Sequence, residues 1–407
     1  EREAAHLQIG RTLASQTEPA AIEENLFEIV NQLDRGAALI DSTQERDGAA
    51  ELNLLAARRA KASTAYSSSM AYLSAGRALL GADSWERQYA LTLAFELELA
   101  ECEFLTGLLA EAEARLSTLD ARVRNLVDRA AVTQLRVTIC AALDLHQRGI
   151  ELSLEYLRRI GIDWSPHPSR VEVEQEYDRI WQRLGSRPIE ALIDLPIMTD
   201  PEQRATLDAL TPALPAAVFT DENLNCLLLC RMVNLSLEHG NCAASCFAYA
   251  MFARVLGPYF GDAAAGFRFG KLAFDLIERP GLGRYKARVT SVFAFLVNPW
   301  AKHISTSQAL GRRAFDIAQE TGDLTFAAYC AACSITILLG SGTPLDEVQV
   351  EAEKGLEFAR RAKFGVVVDF VVGTLMAIRS LRGLTLDFRS FDDAEFDEVR
   401  FERHFEA

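Results

Sequence analysis

An all-α fold of helix hairpins, stacked tetratricopeptide-like into a right-handed superhelix, is what this sequence predicts, on three observations. Apolar residues recur at spacings of three and four in nearly every window, while the strict alternation of a half-buried strand is almost absent. The pattern repeats at about 40 residues, a period typical of stacked helix hairpins. Small residues recur at comparable places, with Ala56, Ala71, Ala100, Ala112 and Ala141 expected where paired helices touch.

The elements come in order along the chain. AAELNLLAARRAKA (49–62) reads as a helix and AYSSSMAYLSAGRALLG (65–81) as its return, with Gly81 as a C-terminal stop. A second hairpin comprises 89–105, a turn at Thr106 and Gly107, and 109–119; a third comprises 130–146, a turn near Gly149, and 150–160. Seven of the twelve prolines fall between 166 and 215 and leave one periodic helix there, at 171–184. Helical periodicity resumes at 223–241 and continues near 243–256, 262–278, 284–298, 305–320, 324–340, 345–362 and 366–382. The organisation expected is N-terminal repeats over 1–163, a proline-rich junction with one or two helices over 164–222, and C-terminal repeats over 223–407. The acidic, aromatic tail SFDDAEFDEVRFERHFEA reads as a truncated last repeat.

Composition narrows the function. A formal charge of -15 with no basic stripe disfavours nucleic acid as a partner, because phosphate neutralisation needs clustered Lys and Arg. No run approaches the roughly 20 apolar residues that span a bilayer, so no membrane insertion is expected. Eight scattered cysteines in helical stretches fit a reducing compartment, and a cytoplasmic location is the expectation. The opening EREAAHLQIG has no initiator Met and no signal pattern, and reads as the start of a fragment of a longer protein.

Candidate chemistry is sparse. GDAAAGFRFGKL (261–272) has Ala265 and Leu272 where a phosphate loop needs Gly and Ser or Thr. Cys226/Cys230, Cys242/Cys246 and Cys330/Cys333 sit at helical spacing and could join in a thiolate site, but their apolar neighbours favour core packing. His6, His146, His167, His239, His303 and His404 show no metal or catalytic spacing, and no nucleophile elbow or kinase signature accompanies them. Neither cofactor nor metal nor catalytic residue is expected in these 407 residues.

Polar residues on apolar helices remain as binding candidates. Arg231, Asn234 and Glu238 share one face at spacings of three and four, suited either to solvent or to a groove wall that orients a ligand or peptide. Trp300 and His303, after Asn298, form a second candidate cluster, as Trp164, His167 and Trp181 do around the junction; turn pinning competes with recognition at both. In LELAECEFLTG (97–107), Leu97, Ala100 and Phe104 read as a buried stripe and Cys102 as a small core residue. Glu98 and Glu101 form a flank, and Glu111 stands four residues before Arg115 in the return helix.

LAECEFLTG (99–107), YLRRIGIDWSPHP (156–168), MVNLSLEHGN (232–241), GFRFGKLAFDLIER (266–279), NPWAKH (298–303) and IRSLRGLT (378–385) carry a family resemblance. The chain resembles the helical-repeat segment of large bacterial multidomain signalling proteins. In that family a serine/threonine-kinase-like domain and an AAA-type ATPase precede the repeats, and GAF and histidine kinase domains come after them. The resemblance implies a non-catalytic regulatory and protein-interaction element, whose partners are other domains of the same chain or another protein. The alternative it implies is a superhelix that binds a small-molecule inducer and controls an adjacent signal-transduction ATPase.

Overall fold

A computed structural model describes residues 1–16, 22–362 and 364–403, so His404 and the end of the acidic tail lie outside the described residues. The described residues are all-α, without a strand. The chain forms two compact units, Glu1–Ile162 and Asp163–Ala407.

The N-terminal unit comprises α1 (Arg2–Gln16), α2 (Ile22–Arg35), α3 (Thr43–Ala62), α4 (Tyr66–Leu79), the single turn α5 (Ser84–Arg87), α6 (Tyr89–Leu105), α7 (Leu109–Arg122), α8 (Leu126–Ala142) and α9 (His146–Arg159). The pairs α3/α4, α6/α7 and α8/α9 are hairpins that close on the same kind of turn. Thr64, Gly107 and Asp144 take φ of 58°, 85° and 56°. The next amide in each case reaches back to the helix that is ending: Ala65 N to Ala60 O (2.9 Å), Leu108 N to Glu103 O (2.8 Å) and Leu145 N to Cys140 O (2.9 Å). The left-handed residue lets the chain reverse while carbonyls of the ending helix stay bonded.

Two expectations are corrected here. The third turn falls at 143–145, because Asp tolerates left-handed backbone and ends the helix early. Gly149, expected in that turn, lies buried inside α9 against Cys140. Ala71 is exposed and Ala141 half-buried, whereas Ala56, Ala100 and Ala112 are buried. On α4 the close contact is made instead by Ser69, whose hydroxyl donates to Ala57 O of α3 (2.8 Å).

Helix α6 is buried on two sides. Phe95, Leu99 and Cys102 join Leu54, Ala57 and Leu73 of the preceding hairpin, while Leu93 and Ala100 join Ala112, Leu116 and Val132 of the next two helices. Leu97 and Phe104 of the predicted stripe are only half-buried. Phe95 has no exposed surface, and cutting such a residue to Ala costs about 3–5 kcal/mol.

The C-terminal unit begins with α10 (Arg170–Leu184), started by Ser169 and Glu172 in a reciprocal capping box. Short helices α11 (Pro201–Leu210) and α12 (Ala213–Thr220) come next, where prolines suggested irregular chain. Pro201 is the first helical residue of α11, where a missing N–H is no loss, and Asp200 accepts from Glu202 N (2.9 Å) and Gln203 N (3.2 Å). Proline starts this helix instead of breaking one.

The remaining helices are α13 (Glu222–His239), α14 (Ala243–Leu256), α15 (Ala263–Leu276), α16 (Lys286–Val292), α17 (Thr306–Glu320), α18 (Leu324–Gly340), α19 (Leu345–Arg361), α20 (Gly365–Leu381) and α21 (Glu398–Arg403). Helix α13 is enclosed by α10, α11, α12 and α14 and is buried nearly all round. At its end Gly240, with φ of 100°, lets the backbone pair with the junction: Asn241 N donates to Pro196 O and Met198 N to Asn241 O, both at 2.8 Å. A Cβ on Gly240 would overlap the Pro196 carbonyl oxygen, while one on Gly107 would meet open space.

These two glycines separate backbone strain from steric exclusion. Gly107→Ala is expected to lower unfolding free energy by about 1–2 kcal/mol, the cost of a left-handed L-residue. Gly240→Ala adds the overlap and is expected to lose clearly more, measured by urea unfolding of both variants; equal losses would contradict the assignment.

Candidate functional site

The glutamates of α6 divide into two sets. Glu98 accepts from Arg58 Nε (2.7 Å) and from Lys61, and Lys61 Nζ also donates to Glu101 (2.6 Å). The predicted Glu98 and Glu101 flank is therefore an ion-pair bridge from α6 to α3. Burial pushes the Glu98 carboxyl up, but the hydrogen bonds from Lys61 and Arg58 outweigh it and hold the group below its ordinary range. Burial likewise pushes Lys61 down, and the charge and hydrogen bonds of Glu101, with those of Glu98, hold it above its ordinary range.

Glu96 and Glu103, seven residues apart, form the second set and are only 9% and 6% exposed. Arg77 Nε donates to Glu96 (2.7 Å), and Arg115 donates to Glu103 through Nε (2.9 Å) and Nη2 (2.6 Å) and to Glu96 through Nη1. The expected Glu111–Arg115 pair gives way to this network. An exposed pair is worth only tenths of a kcal/mol, whereas two poorly hydrated carboxylates left unpaired cost several. Cys102 is fully buried beside the Ser69 hydroxyl (3.4 Å), and burial pushes its thiol above the usual range.

A third constellation lies between α7, α8 and α9. A small cleft with an accessible volume of about 10 Å³, room for about one water molecule, is lined by Arg129, Thr133 and Arg136 of α8, by Leu152, Glu155, Tyr156 and Arg159 of α9, and by Asp120 of α7. Arg129 Nη1 donates to Asp120 (2.9 Å), Arg136 Nη2 to Glu113 (2.6 Å) and Arg159 Nη2 to Glu155 (2.9 Å). Arg136 is only 8% exposed, and its Nε is buried without a hydrogen-bond partner. Leaving such a donor unmade costs about 1–3 kcal/mol. The Glu155 carboxyl lies below its ordinary range, chiefly through the bond from Arg159, against an opposing effect of burial and with help from the charges of Arg136 and Arg148.

Sequence reading missed this cleft. Arg129, Thr133 and Arg136, spaced four and three, share a face of α8, but on one helix that pattern looks like any solvated face. Only the return helix, bringing Tyr156 and Arg159 opposite, turns it into a concavity.

The sequence-derived candidates lie in the other unit. Asn234 has no exposed surface, and its amide donates to the backbone O (2.8 Å) and the carboxylate (2.9 Å) of Glu176 on α10. Glu238 is exposed and accepts from Arg183 of α10 (2.8 Å), and Arg231 is half-buried. The face on which Asn234 and Glu238 lie thus abuts α10. Trp300 is 82% exposed, and the exposed His303 ring bonds Ser305 within its own turn (2.8 Å). Asn298 pins that turn through Thr306 (2.8 Å) and Ser307 (3.0 Å). At the junction His167 pairs with Asp221 (2.9 Å), and Trp181 packs edge-on to Tyr177 and Phe269.

The cysteines of α13 and α14 are buried, and burial pushes Cys226 and Cys246 up to about 12, which disfavours the thiolate form. Among the described residues no group of three or more His, Cys, Asp or Glu is placed to hold a metal ion. Among them, too, no helix is long and apolar enough to cross a membrane.

No protein-family model matches the chain. Hybrid signal transduction histidine kinase G of Dictyostelium discoideum is similar to it, at 26% identity over 393 residues. The match covers 89% of this chain but only 11% of that protein's length. It supports a signalling role in general.

Two measurements test the charge networks. Arg115→Met is expected to cost about 3 kcal/mol, the low end for a broken buried pair because Arg115 keeps 27% of its side-chain surface, while Glu111→Gln stays within about 0.5 kcal/mol. Glu98, held low, stabilises the fold above the unfolded carboxyl value of about 4.3, and that contribution is lost as pH falls through its folded value. Lys61, held high, stabilises it below about 10.4, and that is lost as pH rises through its raised value. The stability gap between wild type and Glu98→Gln, tracked by urea unfolding against pH, should be level near neutrality and close in acid; a gap that persists in acid would count against the bridge.

Proposed function

We propose that this chain is a non-catalytic regulatory and protein-interaction segment of a sensor kinase or ATPase signalling protein, built of tetratricopeptide-like hairpins. The observation that carries the proposal is the match of nearly the whole chain to a small part of a hybrid histidine kinase. The fold supports it, since each hairpin buries its apolar faces on its neighbours and displays long polar helix surfaces suited to docking. The segment regulates by binding other domains of its own chain or a partner protein in the cytoplasm, while kinase and ATPase chemistry reside elsewhere in the parent.

A second reading, implied by the family resemblance, is that the segment binds a small-molecule inducer and controls an adjacent ATPase. A ligand acts in this way only if it binds one arrangement of the hairpins more tightly than another.

Crosslinking mass spectrometry on the intact parent is expected to link this segment to another domain or protein, and the 407-residue chain alone is expected to release no phosphate from Mg-ATP. Crosslinks confined within the segment, or turnover above a buffer blank, would overturn the proposal.

A further inference from the structure

We infer that an exposed face of α20 pairs with the same face of a second copy of this chain, in an antiparallel two-fold dimer. The inference rests on this chain alone and is independent of the signalling reading.

Helix α20 is apolar along most of its length, and one side of it joins the core of the last hairpins through Val367, Val371, Leu375 and Ile378. Another side stays open. There Val366, Phe370 and Leu381 are 44%, 50% and 59% exposed, and Gly373 and Ala377 complete a stripe at spacings of three and four. Gly373 shows what the stripe is shaped to take. Glycine weakens a helix interior, and on other helices of this chain it makes room for a side chain seated on it. A Cβ on Gly76, Gly270 or Gly311 would overlap Phe95, Val297 or Phe295 of a neighbouring element, whereas one on Gly373 would meet nothing within 4 Å. This notch is open to solvent and lies about one turn from the exposed ring of Phe370.

The order of large and small residues identifies the occupant. In a two-fold antiparallel pair, residue i of one helix faces residue j of the other and j faces i, so the two numbers have a constant sum. With the axis between Val371 and Val372, Phe370 faces Gly373 of the second copy, Val366 faces Ala377, and Leu381 faces Ala362 just before the helix. Each large side chain meets a small one, and each pairing occurs twice. A shallow crossing angle keeps such a stripe in contact along its length. Charge agrees with shape. Between 365 and 378 the only charged residue is Asp369, which faces Thr374 in this register, so two chains of net charge -15 meet where they repel least. The stripe is about 24 Å long, which is small for a permanent interface and suits a dimer that dissociates at about 10–100 µM.

Sedimentation velocity of the full chain, from about 1 to about 200 µM, tests the pairing. Wild type is expected to pass from monomer to dimer across that range. Phe370→Asp and Gly373→Phe, both on open surface, should each weaken association at least tenfold while circular dichroism and melting temperature remain those of the folded chain. Phe370→Ala should also weaken it. An equal mixture of Gly373→Phe with Phe370→Ala should pair again, because the large group at position 373 of one copy then faces a small one at position 370 of the other. A wild type that stays monomeric throughout, a dimer left intact by Phe370→Asp or Gly373→Phe, or a mixture that fails to pair would overturn the inference.

Discussion

A helix packed on both flanks has only a narrow strip left for polar residues, and on α6 that strip is occupied by glutamates. One flank closes the core of α3 and α4 through Phe95, Leu99 and Cys102, and the other closes that of α7 and α8 through Leu93 and Ala100. Glutamates that fall between these flanks cannot reach bulk water. Glu96 and Glu103 are therefore bound by Arg77 and Arg115, which extend from the two return helices on either side. Apolar contact holds neighbouring hairpins together without direction; the arginine network fixes which carboxylate meets which helix, and so sets the register.

The same double burial explains what the sequence could tell. Helices of the second hairpin were legible because their ends carry local signals: Gly107 marked a turn that needs a left-handed residue. The third turn was misplaced because Asp144 does the same work with a weaker signal, while a real glycine, Gly149, lies nearby for packing. Pro201 looked like a breaker because proline's effect depends on where in a helix it falls. The polar face of α13 could be seen at 231, 234 and 238, but not what covers it, since Asn234 meets Glu176 across 58 residues of sequence. Charge partners were equally hidden: spacing four offered Glu111 to Arg115, and tertiary packing offered Glu96 and Glu103.

The acidity of the chain also changes meaning once partners are counted. Glu98 and Glu101 bind Lys61 and Arg58, Glu45 binds Arg11, Glu190 binds Arg268, and Glu278 binds Lys286 and Arg313. Most of these bridges join residues far apart in sequence, so many carboxylates serve to tie helix to helix. Exposed bridges of this kind are individually weak and screened by salt. Such weak polar links supplement the apolar layers that join successive hairpins and fix which helix faces meet.

That distinction bears on how a signalling segment built in this way could transmit anything. A displacement of one hairpin against the next must break contacts such as Lys61 with Glu98 and Glu101 and shift apolar ones such as Phe95 and Leu99 on Leu73, yet leave layers within a hairpin, such as Leu54 and Ala57 on Leu73, in place. Polar links have alternative partners and apolar layers slide little, because close-packed interiors resist continuous deformation. A group that binds at such a joint competes directly with the bridge that spans it, as any anion reaching Lys61 would compete with Glu98 and Glu101. Binding and joint geometry are then coupled through the same side chain, and the coupling can be no larger than the difference in how tightly that group is held in the two arrangements.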